Sequence, residues 1–320
     1  MKLQPERVLA LLSRCPVHRE TPLPNLPDLA RRLGVKRLWL KDESQRMGLG
    51  SFKALGGAYA VAREVERNGP NQTFCCASAG NHGLSVAAGA QVFGSRAVIF
   101  LSETVPSEFE SRIREMGART ERFGKSYEES MNRATQRSQE EGWVLVSDSS
   151  WPGYLDIPTT VMEGYTVMAW ECARSFREKT LWPTHVFLQA GVGGLAAAFT
   201  HQVRSAWEVQ PKIVVVEPDR AACLQTSVRE GRMQTVSGEA SNMGRLDCKE
   251  PSFLAFEELE NRADEFLTVT DEEATEAASI LSASGYPTTP SGAAGLACAL
   301  NYPSNSSDRL LLLLTEGSLL

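Results

Sequence analysis

No apolar run in the sequence approaches the ~18 residues that a membrane-spanning helix needs, so no such span is expected. The first fifteen residues, MKLQPERVLALLSRC, carry charges inside a short amphipathic pattern and lack the continuous apolar core of a signal peptide. Histidine is scarce. His18, His82, His185 and His201 stand far apart, and without an H-E-x-x-H motif or a Cys/His cluster no metal site is expected. The seven cysteines, Cys15, Cys75, Cys76, Cys172, Cys223, Cys248 and Cys298, form no C-x-x-C pair, are odd in number and are few for a disulfide framework. Reduced thiols in a cytoplasmic protein are therefore expected. The basic residues are dispersed and the formal net charge of -6 repels phosphate backbones and acidic bilayers, so neither nucleic acid nor a membrane is an expected partner.

What is present is ordinary globular composition, 42% hydrophobic and 22% charged, in 320 residues, too many for one compact core. Apolar runs of strand length alternate with longer segments of helical period, which predicts an α/β protein with mainly parallel sheets flanked by helices. Strands are expected over 37–41, 73–77, 97–101, 144–146, 186–189, 213–216 and 310–314, and helices over 53–66, 81–93, 107–116, 127–140, 157–171 and 272–284. The stretch 71–147 reads as strand–helix–strand–helix–strand and is followed by an aromatic and proline break at 151–158. It is expected to be a smaller inserted domain, with 1–70 and 148–320 forming the larger one.

Three segments carry candidate chemistry. In Gly48-Leu49-Gly50-Ser51-Phe52-Lys53 a glycine-flanked loop after a strand delivers a lysine to the first turn of a helix. A helix N-terminus disfavours ammonium, which lowers the amine's pKa and leaves it more nucleophilic toward an aldehyde. Alone, Lys53 also reads as a solvated surface lysine and Phe52 as a core residue. Gln189-Ala190-Gly191-Val192-Gly193-Gly194-Leu195 follows an apolar strand and opens an alanine-rich helix, so its backbone amides and the helix N-terminus suit a single phosphate. Its G-x-G-G spacing differs from the dinucleotide pattern G-x-G-x-x-G, and a glycine turn for close packing is the plainer alternative. Ala77-Ser78-Ala79-Gly80-Asn81-His82-Gly83 offers a hydroxyl, amides and exposed N–H groups, which suits a carboxylate and a ring hydroxyl. Ser78 and Asn81 are also ordinary helix-capping residues, and His82 alone reads as a packed histidine.

In this order and spacing, followed by Pro290-Ser291-Gly292-Ala293-Ala294-Gly295 and Thr315-Glu316-Gly317, the chain resembles the fold-type II pyridoxal phosphate enzymes, the group of tryptophan synthase β and the serine and threonine dehydratases. Within that group it is most similar to the diaminopropionate ammonia-lyases, through Lys41-Asp42-Glu43-Ser44, Arg46-Met47-Gly48-Leu49, Trp151-Pro152-Gly153-Tyr154, Met162-Glu163-Gly164-Tyr165 and Met243-Gly244-Arg245-Leu246-Asp247-Cys248. The resemblance implies a two-lobe fold with the active site between the lobes, pyridoxal 5'-phosphate held on Lys53 as a Schiff base, Phe52 against the cofactor and Asn81 on its ring hydroxyl. It further implies Gly191, Val192, Gly193, Gly194 and Leu195 around the phosphate and Thr315 facing the pyridine nitrogen. Ser78, Ala79, Gly80 and His82 would meet the substrate, and a homodimer is implied.

The reaction so implied is α,β-elimination from a small amino acid such as 2,3-diaminopropionate, giving a 2-oxo acid and ammonia. Lys53 or Asp148 takes the Cα proton, although Asp148, at a strand end, also reads as a cap. Two departures leave the substrate open. Ala79 stands where the ammonia-lyases carry aspartate, so the loop has the threonine dehydratase form S-A-G-N-H, and the sequence ends at Leu320, where those enzymes continue. A hydroxyamino-acid dehydratase, a β-replacement synthase and an inactive cofactor-binding relic are the alternatives.

Overall fold

The computed structural model describes residues 2–78, 80–103, 105 and 107–318. Its strands, in chain order, are β1 (Arg37–Asp42), β2 (Thr73–Ala77), β3 (Arg96–Leu101), β4 (Arg119–Arg122), β5 (Val144–Leu145), β6 (His185–Gln189), β7 (Lys212–Pro218), β8 (Glu265–Val269) and β9 (Arg309–Leu314). The chain divides into two compact units, one formed by 1–52 with 165–320 and the other by 53–164.

The larger unit holds a five-stranded sheet in the order β1-β9-β6-β7-β8, with every neighbouring pair parallel. Its inner strands are nearly unbroken apolar runs, RLLLLL in β9 and KIVVVEP in β7, because a parallel sheet covered on both faces has no polar side. Alternation still sorts the side chains by face. Leu38 and Leu40 of β1 join Phe187, Val214 and Val216 in a core shared with alanines of the helices Asp271–Ala283 and Pro290–Asn301. Trp39, between those two leucines, packs instead with Phe176, their ring centroids 5.0 Å apart, in an aromatic cluster that includes Trp182, Phe199 and Trp207.

The smaller unit has a four-stranded parallel sheet in the order β4-β3-β2-β5. The helices Lys53–Asn68 and Asn81–Val92 pack closely because glycine clears the way. A Cβ on Gly57 would lie 2.7 Å from Ser85 Oγ, and one on Gly89 would lie 2.9 Å from Ala58 Cα. That packing carries the Lys53 helix into this unit, which is therefore wider than the segment 71–147 and ends inside the long helix Asp156–Lys179.

Strands β4 and β8 have no counterpart in the sequence pattern. β4 is RTER, with no fully buried residue, and β8 is only partly buried up to its last position. Both lie at sheet edges, where one side of the strand faces no partner and the apolar requirement relaxes.

Candidate active site

Within the 53–164 unit, Lys53 is the first residue of the helix Lys53–Asn68 and Asp148 follows β5. The Lys53 ammonium is ion-paired to Asp148 Oδ2, with both side chains mostly out of solvent. Burial alone pushes the Asp148 carboxyl up, but the Lys53 charge and hydrogen bond, together with His82 and a backbone amide, outweigh burial and hold it well below the usual carboxylate range.

The third member is His82, the second residue of the helix Asn81–Val92 and only 4% exposed. Its Nε2 is 2.8 Å from the Val146 carbonyl oxygen, and its Nδ1 is 4.0 Å from Asp148 Oδ2. A carbonyl only accepts, so Nε2 carries the ring proton. Burial lowers the His82 pKa, against the pull of the Asp148 charge, and the ring stays neutral with a bare lone pair on Nδ1.

The segment before Asp148 is held by the Trp151-Pro152-Gly153-Tyr154 turn. Gly153 takes φ +93°, Trp151 and Tyr154 stack with centroids 4.4 Å apart, and the Tyr154 hydroxyl donates to Leu145 O at 2.6 Å while accepting from the Ser147 amide at 3.0 Å. In the loop before His82, the Gly80 amide donates to Ser78 Oγ at 3.3 Å, and Asn81 opens the helix. Gly83 has no room for a side chain, since a Cβ there would lie 2.9 Å from Ile99 Cγ2. Ala79 lies outside the described residues.

The remaining predicted residues gather within the larger unit. The Gly191–Leu195 loop follows β6, and Thr315 follows the adjacent β9, so both stand at the carboxyl edge of one parallel sheet, where α/β proteins bind ligands. Gly193 caps the helix Gly194–Ala206 with φ +93°, and a Cβ on it would meet Leu224 Cδ1 at 2.9 Å. A Cβ on Gly191 would meet Cys248 Sγ at 2.9 Å. The Val192 carbonyl accepts from the Ser252 amide at 2.9 Å, which fixes the loop, and the first-turn amides of the helix have no partner within the helix itself. Phe52 donates its amide to the Thr315 carbonyl at 3.1 Å and sets its ring edge-on to Tyr165, centroids 4.9 Å apart.

Two supports escaped sequence reasoning. Gln189 directs its amide nitrogen at the carbonyls of Gly292 and Leu313, at 3.1 and 3.0 Å, and stands 3.4 Å from Thr315 Oγ1. An amide nitrogen cannot accept, so the Thr315 hydroxyl receives there and its own proton points elsewhere. The second is a buried ion network: Glu171 accepts from Lys41 at 2.5 Å and from Arg46 at 2.7 and 2.8 Å, while Glu43 accepts from Arg46 and from the Thr21 hydroxyl at 2.6 Å. Arg46 is thereby locked immediately before the loop that leads to Phe52 and Lys53. The paired spacing of Lys41, Glu43 and Arg46 hinted at it, but Glu171 is distant in sequence.

An amine held by a carboxylate at a helix start, a glycine loop whose side-chain space is filled by neighbours, and a buried hydroxyl with a proton to give all fit pyridoxal phosphate. These define a cofactor-dependent enzyme of the parallel α/β type. The chain belongs to the pyridoxal-phosphate dependent enzymes, whose family model matches residues 15–316. It is 38% identical over 273 residues to the diaminopropionate ammonia-lyase of Escherichia coli strain K12, covering 79% of this chain and 69% of that one. The solved holo structure of the Escherichia coli diaminopropionate ammonia lyase superposes with a TM-score of 0.88 at 32% identity, over 98% of this chain and 88% of that one. A solved T.th. threonine deaminase gives a TM-score of 0.86 at 27% identity over 98% of both chains.

Among the described residues no helix is long and apolar enough to cross a membrane, and no cluster of His, Cys, Asp or Glu is arranged to hold a metal ion.

Proposed function

We propose that the protein is an ammonia-lyase that removes the β-amino group of a small amino acid, 2,3-diaminopropionate, to give a 2-oxo acid and two molecules of ammonia. The observation that carries this reading is the Lys53–Asp148 pair beside the neutral His82 ring. Bound pyridoxal phosphate supplies an electron sink that acidifies the substrate Cα–H. Lys53 would hold the cofactor and, as a neutral amine, take the Cα proton. Asp148 is the other candidate for that step, a poor base as long as the charged Lys53 holds its carboxyl well below the usual range.

Gly191, Val192, Gly193, Gly194 and Leu195 would hold the phosphate, Asn81 the ring hydroxyl and Phe52 one flank of the ring. Thr315, its oxygen already facing Gln189, has its proton available for the pyridine nitrogen. A hydroxyl donor leaves that nitrogen unprotonated and the sink weaker than a carboxylate partner would, which suits elimination. Ser78 and Gly80 would bind the substrate carboxylate. The S-A-G-N-H loop favours a second reading, dehydration of a hydroxyamino acid. Seven cysteines without a disulfide among them suit a reducing cytoplasm, and a homodimer is the proposed assembly, open to light scattering.

The purified protein is expected to be yellow and to release 2-oxo acid and ammonia from L-2,3-diaminopropionate faster than from L-serine or L-threonine. Lys53→Ala is expected to abolish the visible absorbance and the turnover together. A colourless protein that ignores added pyridoxal phosphate overturns the cofactor assignment, and faster turnover of L-serine or L-threonine transfers the conclusion to the dehydratase reading.

A further inference from the structure

We propose that Asp148 and His82 form the subsite for the β-ammonium group of the substrate and so select an amine over a hydroxyl as the leaving group; this rests on the ammonia-lyase reading. The His82 Nδ1 atom is buried and has no hydrogen-bond partner among the described residues. A buried polar atom without a partner is destabilising, so one that persists needs an explanation. Asp148 Oδ2, 4.0 Å away, cannot supply it, because both atoms only accept. A single donor group with several hydrogens, placed between them, satisfies both at once. An ammonium has those hydrogens and the charge that the carboxylate calls for.

In the structure that charge comes from Lys53, which pairs with Asp148. Lys53 serves as nucleophile or base only when neutral, and in that state Asp148 has lost its cation. A substrate β-ammonium restores it.

The same arrangement discriminates between leaving groups. When the base takes the Cα proton, the C–H electron pair becomes the Cα–Cβ double bond and the Cβ–N pair departs with nitrogen. A substituent that enters as –NH3+ leaves as neutral NH3 and needs no proton. A hydroxyl needs a proton to leave as water, and a His82 ring protonated only on Nε2, turned to Val146, has none to give, so that proton must come back from Lys53 after it has taken the one on Cα.

The test compares L-2,3-diaminopropionate with β-chloro-L-alanine, whose chloride leaves without a proton or a cation receptor, on the holoenzyme. Asp148→Asn is expected to lower the ratio of the two kcat/KM values about 10- to 100-fold, the worth of one charge-assisted contact. His82→Leu is expected to lower the same ratio. A fall of both substrates by one common factor overturns the subsite and leaves the ammonia-lyase reading standing. Wild type that turns over L-serine and leaves diaminopropionate untouched overturns the reading itself.

A second measurement needs no turnover and no altered fold. In wild-type protein labelled with 15N-histidine, the resonance missing from His82→Leu is expected to report an unprotonated Nδ1 and to shift with methylammonium chloride but not with methanol. A protonated Nδ1, or equal response to both probes, overturns the proposal.

Discussion

Gly191 and Gly193 have no side chain because their neighbours occupy the space where one would stand. Cys248 Sγ closes one and Leu224 the other, and Gly193 also needs the left-handed φ of +93°. Gly191→Ala forces its new Cβ against the Arg245 carbonyl at 3.2 Å as well as against Cys248, so the loop must shift. Cofactor affinity is expected to fall at least ~10-fold, measured by titrating apoprotein with pyridoxal phosphate and following visible absorbance, for the loss of about one aligned hydrogen bond; unchanged affinity would place the phosphate elsewhere. Residues of this kind were legible because glycine and lysine at a strand–helix junction carry their meaning in local spacing. Lys53 gained meaning only in the company of the other motifs. The lone pair of His82 was not legible at all, since it depends on the Val146 carbonyl, 64 residues away in sequence. Gln189 escaped for the same reason, its partners lying more than 100 residues further along.

One helix in the larger unit starts on a buried acid. Glu217, on β7, accepts from the amides of Leu224 and Gln225 at 2.8 and 2.7 Å, and so caps the helix Cys223–Glu230. Burial nevertheless wins over those amides and raises its pKa from 4.5 to about 7. A folded-state pKa above the unfolded one means that the contribution to stability is fully present below pH 4.5 and lost as pH rises toward about 7. The loss is on the order of 3 kcal/mol. Urea unfolding on either side of that window is expected to show wild type losing stability with rising pH and Glu217→Gln losing markedly less. Equal pH slopes would mean that Glu217 is ionised in the fold. Elements such as β7 were readable from apolar runs alone, whereas β4 and β8, thinly covered edge strands, present no such run. The capping role of Glu217 was hidden because a single acid inside VVVEP interrupts the pattern without saying which amides it meets.

Across the whole molecule, thiol chemistry tests both the burial of the cores and their division. Cys75, Cys76, Cys172, Cys223 and Cys298 are buried, and Cys15 and Cys248 are half-buried. Burial pushes the thiols of Cys75, Cys172 and Cys298 up to about 12, where almost no thiolate exists at neutral pH. A thiol reagent at mildly alkaline pH is therefore expected to modify Cys15 and Cys248 in the native protein and all seven cysteines after unfolding in guanidinium chloride. Sequence composition led to the expectation of reduced thiols. It could not foretell which would be shielded, nor that close glycine-mediated packing would draw the Lys53 helix into the 53–164 unit. Because Cys75 and Cys76 lie in that unit and Cys172, Cys223 and Cys298 in the other, each with its own sheet, rising denaturant is expected to release the buried thiols as two groups. Peptide mapping of the modified cysteines at intermediate denaturant decides it. Simultaneous release of all five would show that the two cores unfold as one cooperative body.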